Sequence, residues 1–531
     1  MWEKLMQSEL TSNTDRTKYR LTPAVGMLLV VLLIAMIFRV HRISDMSFWF
    51  DESFCLKMAE FPISDLWVHA KEDPHPPLFY FILKYWMMLF GSSTLATRLA
   101  SFIPGILSII GIFLVVKEAY RDPQTGNCSS SVNSAAVVAA ALVALSPLHI
   151  LWSYQVRMYA AGTALAAFSS WFLLKVLRRE PSRKRDWYFF TMTAIALVYT
   201  HNFGLFVVTA QYLFAAGYLL LHHRAASLLQ AGSRLMPLLI SATGTLLAWL
   251  PWLPSFLHQR QLVVEGFWTK PFSWQTAGAT LFDMFGFDQA MDMTPVIGLI
   301  AGQIMVLILL LLAFGRRPGD YFLALIAGFP FVAGILVSIF SRNIFNDRYF
   351  MFNQIFLFAA LAVLISRISL KPIQFCLYGI CIAGTGFLAY EQWLNREADF
   401  KLPAIQGAMA SIEERRKPGE LLLVCDPAIY VSVIAHARER GDIFTFHPGE
   451  DYPFTHGAAA MREDEYLRSQ EIAQRRDPWI WAFDADSYRW RVPVPPGYRL
   501  VGENSFPGFR AKYAVRLYSR ATEVTAKPNS N

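Results

Sequence analysis

Two acidic stretches of this sequence hold side chains able to act as bases. FWFDESF, residues 48–54, sets Asp51 and Glu52 side by side among aromatics, and EDPHPPL, residues 72–78, adds Asp73 and His75. A carboxylate works as a general base towards a hydroxyl or amine when the two are held within hydrogen-bond reach. Asp51 is the better candidate for that role, with Glu52 as its orienter. The same pair would also cap a short helix starting near Ser53, because acids are favoured in a first helical turn. In the second stretch prolines fix φ and restrict the residue before each of them, so Asp73-Pro74-His75-Pro76-Pro77 is a rigid turn. Such a turn either holds Asp73 and His75 at the mouth of a pocket or simply starts an interfacial helix.

Arginines supply the complementary chemistry. Arg157 lies in YQVRMY, which ends at Tyr159, and Arg342 and Arg348 lie in SRNIFNDRYF. A guanidinium keeps its charge and forks around phosphate oxygens, so a phosphate held at a membrane surface is the natural partner of this set. Snorkelling to lipid headgroups is the alternative for any one of them. YTHNFG, residues 199–204, adds His201 and Asn202 in a polar turn. Asp51, Glu52, Asp73, His75 and His201 are also oxygen and nitrogen donors of the kind divalent metals take, but no spacing among them demands a metal.

The elements that must position these residues are membrane spans. Of 531 residues, 54 % are apolar, 15 % aromatic and only 17 % charged, a balance far from that of a soluble domain. The net charge of +8 comes from basic residues scattered singly or in short groups, with no tract of the kind that binds nucleic acid. Cys55, Cys128, Cys376, Cys381 and Cys425 show neither metal-ligand nor redox spacing. Lys4, Arg16, Lys18 and Arg20 precede an apolar stretch without a small-residue cleavage site, which reads as a retained first span.

Eleven runs reach or approach the roughly 17–25 residues that cross a hydrocarbon core. They are 21–38, 100–116, 135–151, 158–174, 187–200, 203–221, 235–253, 294–314, 321–340, 349–366 and 373–390. A further run at 76–91 is short, opens with Pro76-Pro77 and carries Lys84. If it lies along the surface, the N-terminus, 117–134, RREPSRKR (178–185), HHR (222–224), GRRPGD (315–320) and RISLK (367–371) all fall inside, and each carries Lys or Arg. That is the positive-inside pattern, so 76–91 reads as an interfacial helix. FWFDESF, EDPHPPL, residues 146–159, YTHNFG, the 251–293 loop and 341–350 then share the outer face. Residues 391–531 lie outside too, and the strand-like runs LLLVCD (421–426) and WIWAFDAD (479–486) read as parts of a compact α/β domain. The fold class expected is thus a polytopic α-helical membrane protein, a transmembrane module of residues 1–390 with an extracytoplasmic α/β domain at 391–531.

The ordered set of motifs resembles the GT-C superfamily of integral-membrane glycosyltransferases. It consists of a first span followed by Asp51-Glu52, the D-x-H-P-P-L turn, the segment from Gly91 to Arg98, S-P…S-x-x-x-R-x-Y, T-H-x-F-G and a late R-Y-F. The branch it is most similar to holds bacterial relatives of protein O-mannosyltransferases and of the lipid A aminoarabinose transferase, over residues 21 to about 390. The resemblance implies an inner-membrane hexosyl- or pentosyltransferase. Its donor would be a polyprenyl-phosphate sugar, and its acceptor a glycolipid, a polysaccharide or a protein. It makes Asp51, with Glu52, the catalytic acid pair and Asp73 the second acid. It also makes Arg157 and Arg348 contacts of the donor phosphate; His75, Tyr159, His201 and Arg342, on the same face, are the further candidates for substrate contacts. Aminoarabinose transferases carry a lysine where this chain reads His75-Pro76-Pro77, which leaves Arg157 or Lys84 to take its phosphate role. The outer-face aromatics, Phe48, Trp49, Phe50, Phe79, Tyr80, Tyr85 and Trp86, would line a prenyl groove, stack on sugar or simply sit at the interface. A lipid or sugar transporter is the alternative class, but it would place ionisable residues near the midplane and often show internal repeats. Here the spans hold few charges and the polar groups crowd one surface.

Overall fold

A bundle of apolar helices followed by a sheet-containing unit makes up the computed structural model, which describes residues 22–178, 183–222, 228–266, 269–285, 294–400, 404–508 and 511–520. Nine helices among the described residues are long and apolar enough to cross a membrane: Pro23–Val40, Thr94–Ala119, Tyr159–Arg178, Gly204–Leu221, Leu235–Gly266, Val296–Ala313, Pro318–Phe340, Asp347–Ser366 and Lys371–Glu397. Ser130–Leu145 and Pro147–Tyr154 together make a tenth, bent by 59°. The bend has a local cause. Pro147 has no N–H to donate and holds Ser146 extended, at φ −64° and ψ 121°. The expected run at 187–200 lies in Lys184–Thr200, 17 residues that open with Lys-Arg-Asp, so its apolar part is too short to count as a span by length. Among the described residues the helices of that length are therefore nine or ten, and the expected eleven is reached only with Lys184–Thr200 included. Met27, Leu29 and Leu33 on the first helix are more than half exposed, as side chains facing lipid would be. The chain is a multi-span membrane protein.

Leu78–Phe90 has 13 residues and stops at Gly91, whose φ is 83°. It is about 20 Å long at the α-helical rise, too short to cross. The segment 251–293, read from sequence as a loop, is partly helical. Leu253–Gly266 continues the preceding span through a 3₁₀ turn at Leu250–Trp252. Trp274–Met284 is capped by Ser273, which accepts from the Thr276 N–H. Lys4, Arg16, Lys18, Arg20, residues 179–182 of the second basic loop and 223–224 of HHR lie outside the described residues.

The last long helix, Lys371–Phe400, runs unbroken past residue 390. Beyond it come six strands: β1 (Leu421–Val424), β2 (Ile443–His447), β3 (Tyr466–Arg468), β4 (Trp479–Ala485), β5 (Tyr498–Pro507) and β6 (Lys512–Arg520). Their order is β3-β2-β1-β4-β6-β5. β1 pairs in parallel with β2 and β4, whereas β6 is antiparallel to both β4 and β5. β1 is buried throughout and β4 nearly so, which is why both read as continuous apolar runs. After β1, Asp426 caps the helix Pro427–His436 by accepting from the Ala428 N–H at 2.9 Å, with proline at the favoured first position. This helix packs on the helix Phe50–Glu60, so the sheet unit sits directly over the FWFDESF segment.

Candidate active site

Glu52 fixes the acidic helix in place. It is 1 % exposed, and both its oxygens face Arg98, Nε to Oε1 and Nη2 to Oε2 at 2.9 Å each. The Val156 N–H reaches the same Oε1 at 3.1 Å. Arg98 spends its remaining donors on the carbonyls of Ile43, Met46 and Ser47, the turn that leads into the helix. A two-residue fork thus joins the turn, the acidic helix, the Thr94–Ala119 span and the break before Tyr159. The pair is fully desolvated, and its strength comes from geometry: a planar fork meets a carboxylate bidentately.

Successive residues on a helix point about 100° apart, so with Glu52 turned inward Asp51 faces elsewhere. Its Oδ2 accepts from Arg348 Nη1 at 3.1 Å and lies 3.9 Å from Arg157 Nε. Arg157 Nη1 also reaches the Asp51 carbonyl at 3.4 Å and Cys55 Sγ at 3.3 Å. Arg157 sits in the break between Pro147–Tyr154 and Tyr159–Arg178, where Ser101 Oγ donates to its carbonyl and accepts from its N–H. Arg348 sits in the 3₁₀ turn Asp347–Phe350, capped by Asn346. The spans behind the two arginines pack closely: a Cβ on Gly162 would lie 2.6 Å from the Phe352 ring. Burial alone would lower the Arg157 pKa, but the Asp51 carboxylate reverses this and holds it well above its ordinary value. Burial also pushes the Cys55 thiol up to about 12 despite Arg157, so Cys55 accepts a hydrogen bond as a neutral group and is no nucleophile. Arg348 lies among the rings of Trp152, Tyr159 and Tyr349, 5.7, 5.9 and 5.7 Å from their centroids.

The second acid holds a turn. Asp73 Oδ2 accepts from the His75 N–H at 3.1 Å, from Tyr80 Oη at 2.7 Å and lies 3.0 Å from His75 Nδ1. Gln259 closes the same turn from outside, donating to the carbonyls of Ala70, Asp73 and His75, and Asn202 donates to that of Pro74. The His75 ring stands 5.2 Å from that of His201. Burial lowers the pKa of His75 even with Asp73 beside it. That of His201 is held well below its ordinary value, through burial and then the neighbouring His75, Arg157 and Arg348. Both rings are therefore neutral at neutral pH. His201 Nδ1 accepts from the Phe203 N–H, which puts the proton on Nε2, and that atom has no hydrogen-bond partner among the described residues.

Residues 74–254 match the sequence family described as dolichyl-phosphate-mannose-protein mannosyltransferase. Two solved structures share the whole architecture: ArnT from Cupriavidus metallidurans in the apo state and the same protein bound to undecaprenyl phosphate. The first superposes with a TM-score of 0.59 at 13 % identity over 96 % of this chain and 100 % of that one. The second gives 0.57 at 13 % over 95 % and 99 %. The chain thus shares the fold of these two structures. No curated protein sequence matches it.

On this frame the sequence-derived candidates separate into groups. Asp51, Arg157, Arg348 and Tyr159 meet at one end of the bundle, with His75 and His201 beside Tyr159, whose ring lies 6.4 and 5.5 Å from theirs. Glu52 and Asp73 lie next to this group but are engaged by Arg98 and by His75 with Tyr80. Lys84 is placed apart, donating to the Ala59 carbonyl at the far end of the acidic helix. Arg342 donates to the Thr269 carbonyl, which supports the segment before Trp274–Met284. Among the described residues no three His, Cys, Asp or Glu side chains come together as a metal would need. Sequence reasoning gave Arg98 no role beyond marking a segment, although an arginine entering an apolar run is the usual sign of a buried partner. Gln259 carried no signal, since its partners are backbone carbonyls.

Proposed function

We propose that the protein is a glycosyltransferase that takes a sugar from a polyprenyl-phosphate-linked donor and passes it to an envelope acceptor, a glycolipid, polysaccharide or protein, on the outer face of the membrane. The observation that carries this reading is one carboxylate, Asp51, set between two buried arginines, Arg348 and Arg157, at 3.1 and 3.9 Å. A lipid phosphate is supported as their ligand by the undecaprenyl phosphate bound to the similarly folded ArnT. The acceptor's hydroxyl or amine attacks the anomeric carbon, and the bond from that carbon to the phosphate oxygen breaks with its electron pair left on the phosphate. The acceptor's proton passes to Asp51. The arginines stabilise the charge that develops on the leaving phosphate, the kind of preorganised electrostatic help that dominates many enzyme rate enhancements. Without donor, Asp51 balances both guanidiniums; a phosphate drawing on them lets the carboxylate act on the acceptor. The unmet His201 Nε2–H is a donor available to a sugar or phosphate oxygen. Glu52 acts as a positioning residue through Arg98, and Asp73 through His75.

The same reading places the N-terminus inside and the residues after 390 outside, which needs an odd number of crossings and so takes the 17-residue helix Lys184–Thr200 as a further one. It is supported by basic residues at the opposite end of the bundle, where Arg367 pairs with Asp320 and Arg178 donates to the Ala119 and Arg121 carbonyls. The test is to incubate purified protein with a polyprenyl-phosphate sugar labelled in the sugar and with envelope glycolipid and protein fractions. Label should move to one fraction as polyprenyl phosphate is released. No Arg348-dependent release with any fraction would reject the function.

A further inference from the structure

The sheet unit carries a cluster of rings that none of the groups described so far uses. His456 closes the 3₁₀ turn Phe454–His456, and its Nδ1 lies 2.8 Å from Oδ2 of the fully buried Asp426. Asp426 spends its other oxygen capping Pro427–His436, so its position is fixed by that helix. The rings of Tyr488 and Trp490 stand almost perpendicular to the His456 imidazole, at 82° and 85°, with centroids 5.3 and 5.8 Å away. Trp490 in turn meets Tyr452 edge-on at 4.8 Å, and Tyr452 is tied down through its hydroxyl to the Phe446 carbonyl. Tyr488, Trp490 and His456 are nonetheless only half-buried. A fold that needed these rings solely as core would bury them.

The place of the cluster is more telling than its composition. Gly457, next to His456, has φ 81°, and a Cβ there would lie 3.0 Å from the Phe50 ring and 3.5 Å from that of Phe54. The turn is thus seated on the first turn of the acidic helix, one residue from Asp51. On its other side Phe454 packs against Gly266, at the end of the helix that carries Gln259. Burial raises the pKa of the Tyr488 hydroxyl, and Asp426 and Asp51 are among the charges that add to it, so Tyr488 is within electrostatic reach of both carboxylates.

We infer that His456, Tyr488 and Trp490, held by Asp426, form a subsite of the sheet unit that binds a pyranose ring of the acceptor beside Asp51. A pyranose presents an apolar C–H face and a rim of hydroxyls. Aromatic walls with one oriented imidazole offer the matching surface, mostly apolar with few fixed polar groups. Asp426 at Nδ1 fixes the tautomer and orientation of the ring, leaving Nε2 as its other polar position. This subsite rests on the proposed transfer reaction for its meaning as an acceptor site, but its binding can be measured without turnover.

The full chain in nanodiscs of sugar-free phospholipid is examined by saturation-transfer NMR with millimolar methyl β-D-glucopyranoside and its 2-amino analogue, and undecaprenyl phosphate binding is measured on the same samples. Wild-type protein is expected to saturate the ring protons of at least one glycoside. Trp490→Ala should reduce that signal at least fivefold and His456→Gln at least threefold. Lys417→Ala, at an exposed position of the sheet unit outside the cluster, should stay near wild type, and undecaprenyl phosphate binding reports the folding of every variant. The subsite is overturned by an absent glycoside signal in protein that binds undecaprenyl phosphate, by a signal indifferent to Trp490→Ala and His456→Gln, or by variant-sensitive saturation of a Ser/Thr peptide in place of the glycosides. A variant-sensitive glycoside signal in protein that neither binds undecaprenyl phosphate nor transfers sugar would reject the donor reading and leave the subsite standing.

Discussion

Arg348 and Arg157 converge on the same oxygen of Asp51, Oδ2, from turns 191 residues apart in sequence, 348 less 157. The carboxylate is therefore both their counter-ion and the base nearest to whatever anion they hold. Asp51→Asn separates these roles, since it keeps the shape and loses the charge and basicity. Transfer should fall by about 10²–10⁴, while affinity for polyprenyl phosphate is unchanged or tighter because a competing anion has gone. Weaker lipid-phosphate binding with near-normal turnover would invert the assignment.

Arg348 should not tolerate lysine. Its guanidinium lies among the Trp152, Tyr159 and Tyr349 rings, an arrangement that a point charge on a flexible stem cannot reproduce. Arg348→Ala is expected to cost about 10²–10³ in kcat, as for loss of one preorganised donor, and Arg348→Lys to recover only a minor part. Steady-state kinetics with a purified lipid-linked sugar would show it, and full activity of the lysine variant would contradict it.

Glu52 and Arg98 should behave as a structural pair. Removing one partner of a buried, fully hydrogen-bonded ion pair costs about 3–5 kcal/mol. Arg98→Ala and Glu52→Gln are thus expected to lower the thermal midpoint and yield of the detergent-purified protein. A wild-type midpoint for Glu52→Gln with transfer abolished would place Glu52 in the chemistry instead.

What the sequence made legible follows from the range of the interactions involved. Asp51, Arg157 and Arg348 stood out because charges beside apolar runs are costly and few, and β1 and β4 because buried parallel strands are continuous apolar runs. The fork from Arg98 to Glu52 spans 46 residues, and nothing local in FWFDESF says which of two adjacent acids turns inward. Helices Leu253–Gly266 and Trp274–Met284 were hidden by their weak apolar pattern, since tertiary contacts with the EDPHPPL turn and Thr294–Ala313 help hold them. β5 is exposed along most of its length and slips register between Leu500 and Gly502, so neither burial nor alternation marks it. The His456 cluster is assembled from residues between 426 and 490 and was invisible for the same reason.

Orientation can be read by labelling. Lys417 and Lys184 are both exposed, one in the sheet unit and one at the start of Lys184–Thr200. In intact cells a membrane-impermeant thiol reagent should modify Lys417→Cys and spare Lys184→Cys, with both labelled after permeabilisation. The opposite pattern would turn the bundle over and place Asp51 inside.

The seam between the sheet unit and the acidic segment should weaken in acid. His436 Nε2 lies 2.9 Å from Ser47 Oγ, and its pKa is lowered from 6.5 to about 4. Burial is the main cause; the Phe48 backbone opposes it and the charge of Arg98 adds to it. The folded protein thus keeps the ring neutral while the unfolded chain binds a proton below about 6.5. Between those two values the unfolded state holds more protons, so stability rises with pH. The contribution of His436 is complete above about 6.5, is lost progressively as pH falls towards 4, and amounts at pH 5 to at most about 2 kcal/mol. His75 and His201 act in the same direction, so the variant rather than the wild-type slope isolates the seam. His436→Gln keeps a hydrogen-bonding group that cannot titrate. Its thermal midpoint should fall less between pH 7 and pH 5 than that of the wild type, and identical falls would show that the seam does not sense the proton.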